Sequence, residues 1–344
     1  MSFVATADLH LGSELPGLNR FAIIKQMFRF AVDNDADAVV IAGDVYHHLL
    51  VSNSIREKFN RWIRKLSKSV QVIIIPGNHD VGSSTTSLSP ITPLVNKNIK
   101  IVMEPTEIKI GKDSALFIPF EKLDSKDTNL FKKRLKKLKG KYKFVFGHFT
   151  VNGCSVGPSN FTMSHSISAK LLKKYFKTKY FILGHIHKPQ VINENIYYCG
   201  SPDYLDFGER EEQKRFLYYN GKSLESIKVK GKQLCQVNVT PKSVNGKLRK
   251  NGLYKIVVEC YKEEVGIVPL ERVIKKIKEK GGRIIKTQWA IKQRERTKAK
   301  SLDFRNSVNS NIKEYIGSYA NKEDRKQLLE EALSICQETG IHKE

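Results

Sequence analysis

The sequence predicts an α/β fold: a sheet covered by helices on both faces, then a smaller α+β module and a helical tail. Two observations lead there. Strand-like and helix-like runs alternate from residue 1 to about residue 202. The strand-like runs are continuous apolar stretches, as strands buried on both faces are. A third observation is chemical: these strands end in polar residues.

The elements follow in order. SFVATADLH is a short apolar strand with a polar end. Residues 19–33 (NRFAIIKQMFRFAVD) set Phe21, Ile24, Phe28 and Val32 at helical spacing. ADAVVIAGD is the next strand, rich in Val and Ile. Residues 52–68 open with Ser52-Asn53-Ser54, an N-cap signal, and carry Ile55, Phe59, Trp62, Ile63 and Leu66 on one face. VQVIIIPGNHD is a third strand, and KFVFGH, KYFILGHIH and NIYYCGSP are later ones. Composition shifts after residue 202, where SPDYLDFGEREEQKRFLYYN leads into QLCQVNV and LYKIVVECY, a helix (PLERVIKKIKEKGG) and a strand (RIIKTQWAI). From about residue 293 the chain is polar, a linker. It ends in NKEDRKQLLEEALSICQE, an amphipathic helix with Leu329, Leu333 and Cys336 near one face. The expected division is 1–202, 203–292 and 293–344.

The bulk numbers bound the function. With 344 residues and 40% hydrophobic content the chain can build a sizeable core and two domains. A formal net charge of +25 favours phosphate polyanions or an acidic membrane surface as partners. No apolar run approaches the ~18 residues of a membrane span, so a soluble cytoplasmic protein with no membrane partner is expected. Five cysteines, Cys154, Cys199, Cys235, Cys260 and Cys336, are scattered without a CxxC pair. That argues against a disulfide framework and against a thiolate zinc site.

Five strand-like segments end in residues able to bind metal. They are Asp8-Leu9-His10, Gly43-Asp44, Gly77-Asn78-His79-Asp80, Gly147-His148 and Gly184-His185-Ile186-His187. In open α/β sheets ligands bind beyond the carboxyl ends of strands, so groups distant in sequence converge there. In D-x-H and H-x-H both side chains point to one face of an extended strand. Carboxylate, imidazole and carboxamide together suit a borderline divalent ion such as Mn²⁺, Fe²⁺ or Zn²⁺. There are more candidates than one ion needs, and a carboxylate can bridge two, as in two-metal phosphoryl-transfer sites. A lone histidine or a GD turn would be unremarked structure; five such ends in one chain are not.

DLHLG, GDVYH, GNHD, GHF and GHIH, in that order, resemble the five motifs of the calcineurin-like metallophosphoesterases. Within that superfamily the resemblance is to the SbcD-type DNA repair nucleases, on DLHLG and on GSPDYLDFGERE after GHIH. It covers roughly residues 1–210, and the compact length is similar to versions encoded by large bacteriophages. The resemblance implies a sandwich of two sheets flanked by helices, an α+β capping domain over DNA, and two divalent ions, Mn²⁺ first with Mg²⁺, Fe²⁺ or Zn²⁺ as alternatives. One ion would be held by Asp8, His10, Asp44 and His187, the other by Asp44, Asn78, His148 and His185. His79 would not bind metal; it would stabilise the transition state or protonate the leaving oxygen. Asp80 would orient a histidine, His79 or His10. His47, or its neighbour His48, would position DNA. The implied activity is Mn²⁺-dependent 3′→5′ exonuclease and endonuclease action on DNA ends, by hydroxide attack on the phosphodiester. The implied partner is an SbcC-type, SMC-like coiled-coil ATPase. It would dock on the C-terminal helix, with two copies of this chain in a heterotetramer; the alternative is an ordinary helix packed on its own domain.

Other features stay open. Residues 131–143 (FKKRLKKLKGKYK) carry eight Lys or Arg and no acid. They form either a DNA-binding patch or a solvated helix face anchored by Leu135 and Leu138. The polar loop VGSSTTSLSP after GNHD either touches substrate or is simply solvated, and Cys154 has no assigned role. Competing functions are a small-molecule or cyclic-nucleotide phosphodiesterase, a protein phosphatase, and a non-catalytic DNA-end-binding scaffold. GNHD in place of GNHE, and Val45-Tyr46-His47 in place of an Arg-Gly after GD, disfavour the phosphatase. The intact ligand set disfavours the scaffold.

Overall fold

A computed structural model describes residues 1–13, 15–81, 90–91, 94, 96–121, 128–156, 166–293, 307–320 and 324–338. The chain divides into two units, Met1–Val258 with Pro269–Gln288, and Glu259–Val268 with Trp289–Glu344.

The first third of the chain holds β1 (Phe3–Thr6), α1 (Arg20–Asp33), β2 (Ala38–Ala42), α2 (Asn53–Leu66), β3 (Gln71–Ile75), β4 (Ile99–Ile101), β5 (Thr106–Ile110) and β6 (Asp113–Ile118). Then come α3 (Thr128–Lys137), β7 (Gly140–Lys141), β8 (Phe144–His148), β9 (Thr150–Val151), β10 (Ser166–Ile167), α4 (Ala169–Tyr175) and β11 (Phe176–Lys177). They are followed by β12 (Tyr180–Gly184), β13 (Gln190–Ile192), β14 (Ile196–Tyr198), β15 (Arg215–Tyr219) and β16 (Leu224–Lys228). The last elements are β17 (Leu234–Val239), β18 (Val244–Asn245), β19 (Leu253–Tyr261), α5 (Leu270–Glu279), β20 (Arg283–Lys292), α6 (Val308–Tyr319) and α7 (Arg325–Glu338).

Two six-stranded sheets build the main body, in the orders β16-β15-β1-β2-β3-β4 and β13-β14-β12-β8-β6-β5. Their central strands are parallel, because each is reached by a helical or long crossover; β15–β16, β13–β14 and β5–β6 close three edges antiparallel, and β4 joins β3 in parallel at the fourth. Alternate side chains decide the layers. Phe3, Ala5, Val40, Ile73 and Ile75 of the first sheet meet Phe117, Phe144, Phe146 and Ile182 of the second in one dry cluster. Phe3 sits edge-on to Phe144 with ring centroids 4.9 Å apart, and Phe117 stacks on Phe146 at 4.9 Å. Such pairs add about 0.5–1.5 kcal/mol each beyond the area they bury. Val4, Val39, Ile41, Val72 and Ile74 face outward under α1 and α2. Leu116, Val145, Phe181 and Leu183 face outward on the other side, with Leu135 and Leu172 from α3 and α4. Continuous apolar strands are thus what two covered faces require, and the architecture is two sheets flanked by helices.

Several details differ from the sequence expectation. In α1 the buried residues include Ile23, Ile24, Met27, Phe28 and Ala31, whereas Val32 is 41% exposed. The apolar stripe is broader than the four-residue series chosen from spacing. Strands β4, β5, β6 and β13 have no counterpart in the expectation, being short or mixed in polarity. Residues 215–228, beyond the compositional shift at 202, return to the first sheet: Phe3 of β1 pairs with Tyr219 of β15. Sequence order conceals this return because it closes a sheet begun over 200 residues earlier. The basic run 131–143 lies partly on α3, whose Leu135 is fully buried. An anchored helix therefore underlies that run.

The smaller sheet, β18-β17-β19-β20, pairs β17 with β19 in parallel, and Val273 and Ile277 of α5 are buried. In the second unit the described residues include a 3-10 turn (Lys262–Ile267) and the helices α6 and α7, which pack on each other. The expected linker lies almost wholly outside the described residues, as does most of the loop after Asp80. Among the described residues no helix is long and apolar enough to cross a membrane.

Candidate metal centre

Parallel strands share one carboxyl edge, and that edge carries the polar strand ends. The backbone turns there at unusual angles. Asp8, His10, Asp44 and His185 have φ of 53°, 43°, 50° and 87°, left-handed values that L-residues seldom adopt. Two glycines make room for the crowding. A Cβ on Gly43, at φ 97°, would fall inside the His148 ring, and a Cβ on Gly77 would collide with Asp44. Side chains of distant strands can then approach within ligand distance.

Among the described residues three donor groups result, one of them His10, His47 and His79, and two of them contain carboxylates. Donor atoms of Asp8, His10 and His187 all lie within 4.8 Å of one another, as do those of Asp44, His148 and His185. Asp44 joins the two, its Oδ2 lying 3.6 Å from His10 Nε2 and 3.5 Å from His148 Nε2. Asn78 completes the second group, its Oδ1 lying 3.0 Å from His148 Nε2 and 2.8 Å from His185 Nδ1. His10 Nε2 and His187 Nε2 face each other at 3.1 Å.

The hydrogen bonds behind these atoms set their tautomers. His148 Nδ1–H donates to the Ala42 carbonyl at 2.8 Å, which turns Nε2 toward Asp44 and Asn78. His187 Nδ1–H donates to Glu209 Oε1 at 3.2 Å, which aims its Nε2 at His10. Carboxylate, carboxamide and imidazole atoms thus converge on one point, an arrangement that positive charge satisfies, a proton on His148 or a cation in its place. The charges agree. Asp8, Asp44 and Asp80 are at most 1% exposed, and buried carboxylates need positive partners.

Burial pushes the Asp8 carboxyl up to about 6. Burial also opposes the Asp44 charge, but the His148 and His10 rings and the His79 amide hold that carboxyl below its ordinary range. Burial drives His10 down to about 2 and His185 to about 3, so both are neutral imidazoles, the ligand form. Burial disfavours charge on His148 as well, yet the Asp44 and Asp8 carboxylates lift it to about 9. Positive charge is drawn to the point where Asp44 and Asn78 converge. Imidazole, carboxylate and carboxamide in these two groups fit divalent ions of borderline character.

The other three expected residues lie close by, in different ways. His79 donates its backbone N–H to Asp44 Oδ1 at 2.9 Å and its Nδ1–H to the His47 carbonyl at 2.6 Å, and among the described residues its Nε2 has no hydrogen bond. His47 stacks on His79 with ring centroids 5.6 Å apart, and its Nδ1 is 3.2 Å from His10 Nδ1. His48 is exposed, so of the adjacent pair it is His47 that joins the cluster with His10 and His79. Asp80 departs from expectation. Its oxygens accept from the amides of Val45, Tyr46 and Gly77, each at 3.0 Å, and among the described residues no histidine ring bonds to it. The physical reason is burial: a carboxylate with no solvent exposure takes the donors that the turning backbone must satisfy anyway. Asp80 ties the Asp44 loop to the Gly77 turn.

Sequence reasoning missed Glu209 and Lys214. Glu209 Oε2 accepts from Lys214 Nζ at 2.8 Å and from the Leu205 amide at 2.9 Å, while Lys214 also reaches Ser201 and Glu212. The signal was present in GSPDYLDFGERE, a stretch singled out without a role for any one residue. Arg20 was missed too. It is buried and donates to the Tyr204 carbonyl at 2.8 Å and to Ser13 Oγ at 3.2 Å, near Asp203. Cys154 packs on the outer cluster of the second sheet, and burial raises its thiol.

Comparison with known proteins agrees with this geometry. The family model described as calcineurin-like phosphoesterase matches residues 1–189. The chain is 24% identical over 269 residues to the SbcD component of the nuclease SbcCD of Escherichia coli, covering 66% of this chain and 67% of that one. It is 24% identical over 252 residues to the Bacillus subtilis protein of the same name, covering 61% of this chain and 63% of that one. It is also 25% identical over 224 residues to an uncharacterized protein of Acanthamoeba polyphaga mimivirus, covering 60% of this chain but 16% of that protein. The chain thus spans about two thirds of the length of the nuclease components it matches.

Proposed function

The chain belongs to the calcineurin-like phosphoesterase family, a family that uses divalent metals, and from that premise we propose that it is a metal-dependent DNA nuclease. The observation that carries the reading is the Asp44 carboxylate, with one oxygen 3.6 Å from His10 Nε2 and 3.5 Å from His148 Nε2. In this reading Asp8, His10, Asp44 and His187 hold one ion, and Asp44, Asn78, His148 and His185 hold the other. Bound there, two divalent ions supply charge neutralisation of a phosphodiester, an acidified water and stabilisation of the leaving oxygen.

The chain's own residues do the rest. Asp44 keeps the two ligand groups in register. Asn78 adds a ligand without adding negative charge, which suits an anionic substrate. Glu209 fixes the His187 ring, and the Ala42 carbonyl fixes His148. The His79 ring is held through Nδ1, which leaves Nε2 to hand a proton to the leaving oxygen when the ring is in its imidazolium form, the ring becoming neutral in that step. His47, stacked on His79, lines the approach and positions DNA. Asp80 holds the loop that bears Asp44.

Support for DNA comes from the +25 charge and from relatives named as nuclease components. As the SbcD-type resemblance implies, the reaction in this reading is 3′→5′ exonuclease and endonuclease cleavage of DNA ends in double-strand-break repair, with Mn²⁺ as the working metal. The partner is an SMC-like ATPase of SbcC type, docked on α7 around a dimer of this chain, and the module of β17 to β20 steers DNA.

The test is purified protein with end-labelled linear duplex DNA, and separately with bis(p-nitrophenyl) phosphate, with and without Mn²⁺. DNA cleavage only with metal is expected. Strong turnover of the small diester with no DNA cleavage would sink the nuclease reading and leave a small-substrate phosphodiesterase.

A further inference from the structure

A cavity of about 500 Å³ opens between Lys188, the residue after His187, and the 3-10 turn Phe207–Glu211 that carries Glu209. Lys188 follows the ligand His187 in the chain, and Gly208 and Arg210 flank Glu209, so the walls are chain neighbours of the metal centre's residues. The cavity walls include Lys188, Arg210, Arg215 and Ser226 and the acids Glu211 and Glu212.

Among the described residues, two of its cations lack a counter-ion. Arg215 donates from Nη1 to Ser226 Oγ at 2.9 Å and from Nη2 to the Tyr198 carbonyl at 3.1 Å, both neutral acceptors. Its Nε is buried with no hydrogen-bond partner among the described residues. Lys188 Nζ reaches Ser155 Oγ at 3.3 Å, again a neutral atom. The acids beside them are engaged elsewhere: Glu212 with Lys214 at 2.8 Å, Glu211 with Arg210 at 3.6 Å. A partly buried guanidinium held by neutral acceptors is already oriented for an anion, and a fork of this kind matches phosphate oxygens.

We propose that this cavity takes a backbone phosphate of the polynucleotide strand that runs through the metal centre, a second anchor away from the scissile bond. The proposal rests on the nuclease reading. It names what would make the protein prefer a strand over a small diester: Lys188 and Arg215 grip a phosphate that the small diester does not have.

The test uses a fluorescein-labelled single-stranded oligonucleotide in EDTA, so that nothing is cut, with anisotropy read across a KCl series. Lys188→Gln and Arg215→Gln should each weaken binding and reduce the slope of log K against log[salt] by about 0.7, the value for one phosphate contact on a single strand. With Mn²⁺ restored, the ratio of oligonucleotide to bis(p-nitrophenyl) phosphate kcat/KM should fall about 10-fold or more in each. Arg215→Lys covers the case in which Arg215→Gln does not fold, and Lys188 is only partly buried, so its variant stands independently. Unchanged slopes and ratios overturn the proposal. So does an unchanged slope together with weaker inhibition of Lys188→Gln than of wild type by inorganic phosphate, which would assign the cavity to free phosphate. Wild-type protein that turns over the small diester but cuts no oligonucleotide defeats the nuclease reading, while the salt slopes still decide the cavity.

Discussion

Glu209 accepts the Nδ1–H of His187 at 3.2 Å with one carboxylate oxygen and the ammonium of Lys214 at 2.8 Å with the other. Glu209 and His187 are 22 apart in sequence and lie on different elements. Burial resists the Glu209 charge, but His187 and Lys214 overcome it and keep the carboxyl below its usual range. An ionised acceptor behind a ligand histidine fixes its tautomer and raises its basicity.

Glu209→Ala should therefore weaken metal binding by about 10–100-fold. Titration calorimetry with Mn²⁺ checks this. Glu209→Gln, which keeps an acceptor oxygen, should lose less. Wild-type affinity in both would show that Glu209 serves only to hold Lys214.

Asp44→Ala should abolish both ions, because its Oδ2 faces both donor groups at 3.6 and 3.5 Å. Elemental analysis of the purified variant decides it. Retention of one full equivalent would mean that Asp44 belongs to one group alone.

His79→Ala should keep both ions and lose activity. Removing a positioned proton donor costs about 10²–10⁴-fold in rate. The informative pair of measurements is metal content and kcat on one preparation. Wild-type kcat with full metal would refute the assigned role.

Metal removal should lower thermal stability. Buried Asp8 and Asp44 lose their positive partners, and mass action at 100 times Kd amounts to about 2.7 kcal/mol per site. Melting in EDTA, then in excess Mn²⁺, should show a lower and a higher midpoint. Equal midpoints would count against binding at this crevice.

Gly43→Ala should be destabilising well beyond a surface change. The residue has φ 97° and its Cβ would meet the His148 ring. Overpacking alone costs about 1–3 kcal/mol, and the left-handed backbone adds strain. Chemical denaturation measures it, and a loss under about 0.5 kcal/mol, the range of ordinary surface changes, would contradict the contact.

Much of the site was legible because the chemistry sits at strand ends. Apolar runs such as VVIA and VIII mark buried strands, and the polar residue after each must then lie at a sheet edge. Asn78, His79 and Asp80 show the limit of that legibility. The sequence placed three polar groups side by side. Their separation into a donor among ligands, a ring held by the His47 carbonyl, and a carboxylate bound by three amides came from contacts with distant residues such as Asp44 and Val45. Glu209 and Lys214 had no readable role for the same reason: an acid and a lysine in a polar stretch look solvated until the fold buries Glu209 against His187 and Lys214 against Glu209.

Local pattern determined the alternating elements, the apolar strands and the set of metal-binding residue types, because side-chain period and turn chemistry act over a few residues. Only the tertiary structure decided the return of Arg215–Tyr219 to pair with β1, the position of Asp44 between two donor groups, and the backbone-bound role of Asp80. Those depend on which strand ends meet in space. That is settled by the packing of two sheets over one core, which no short window of sequence contains.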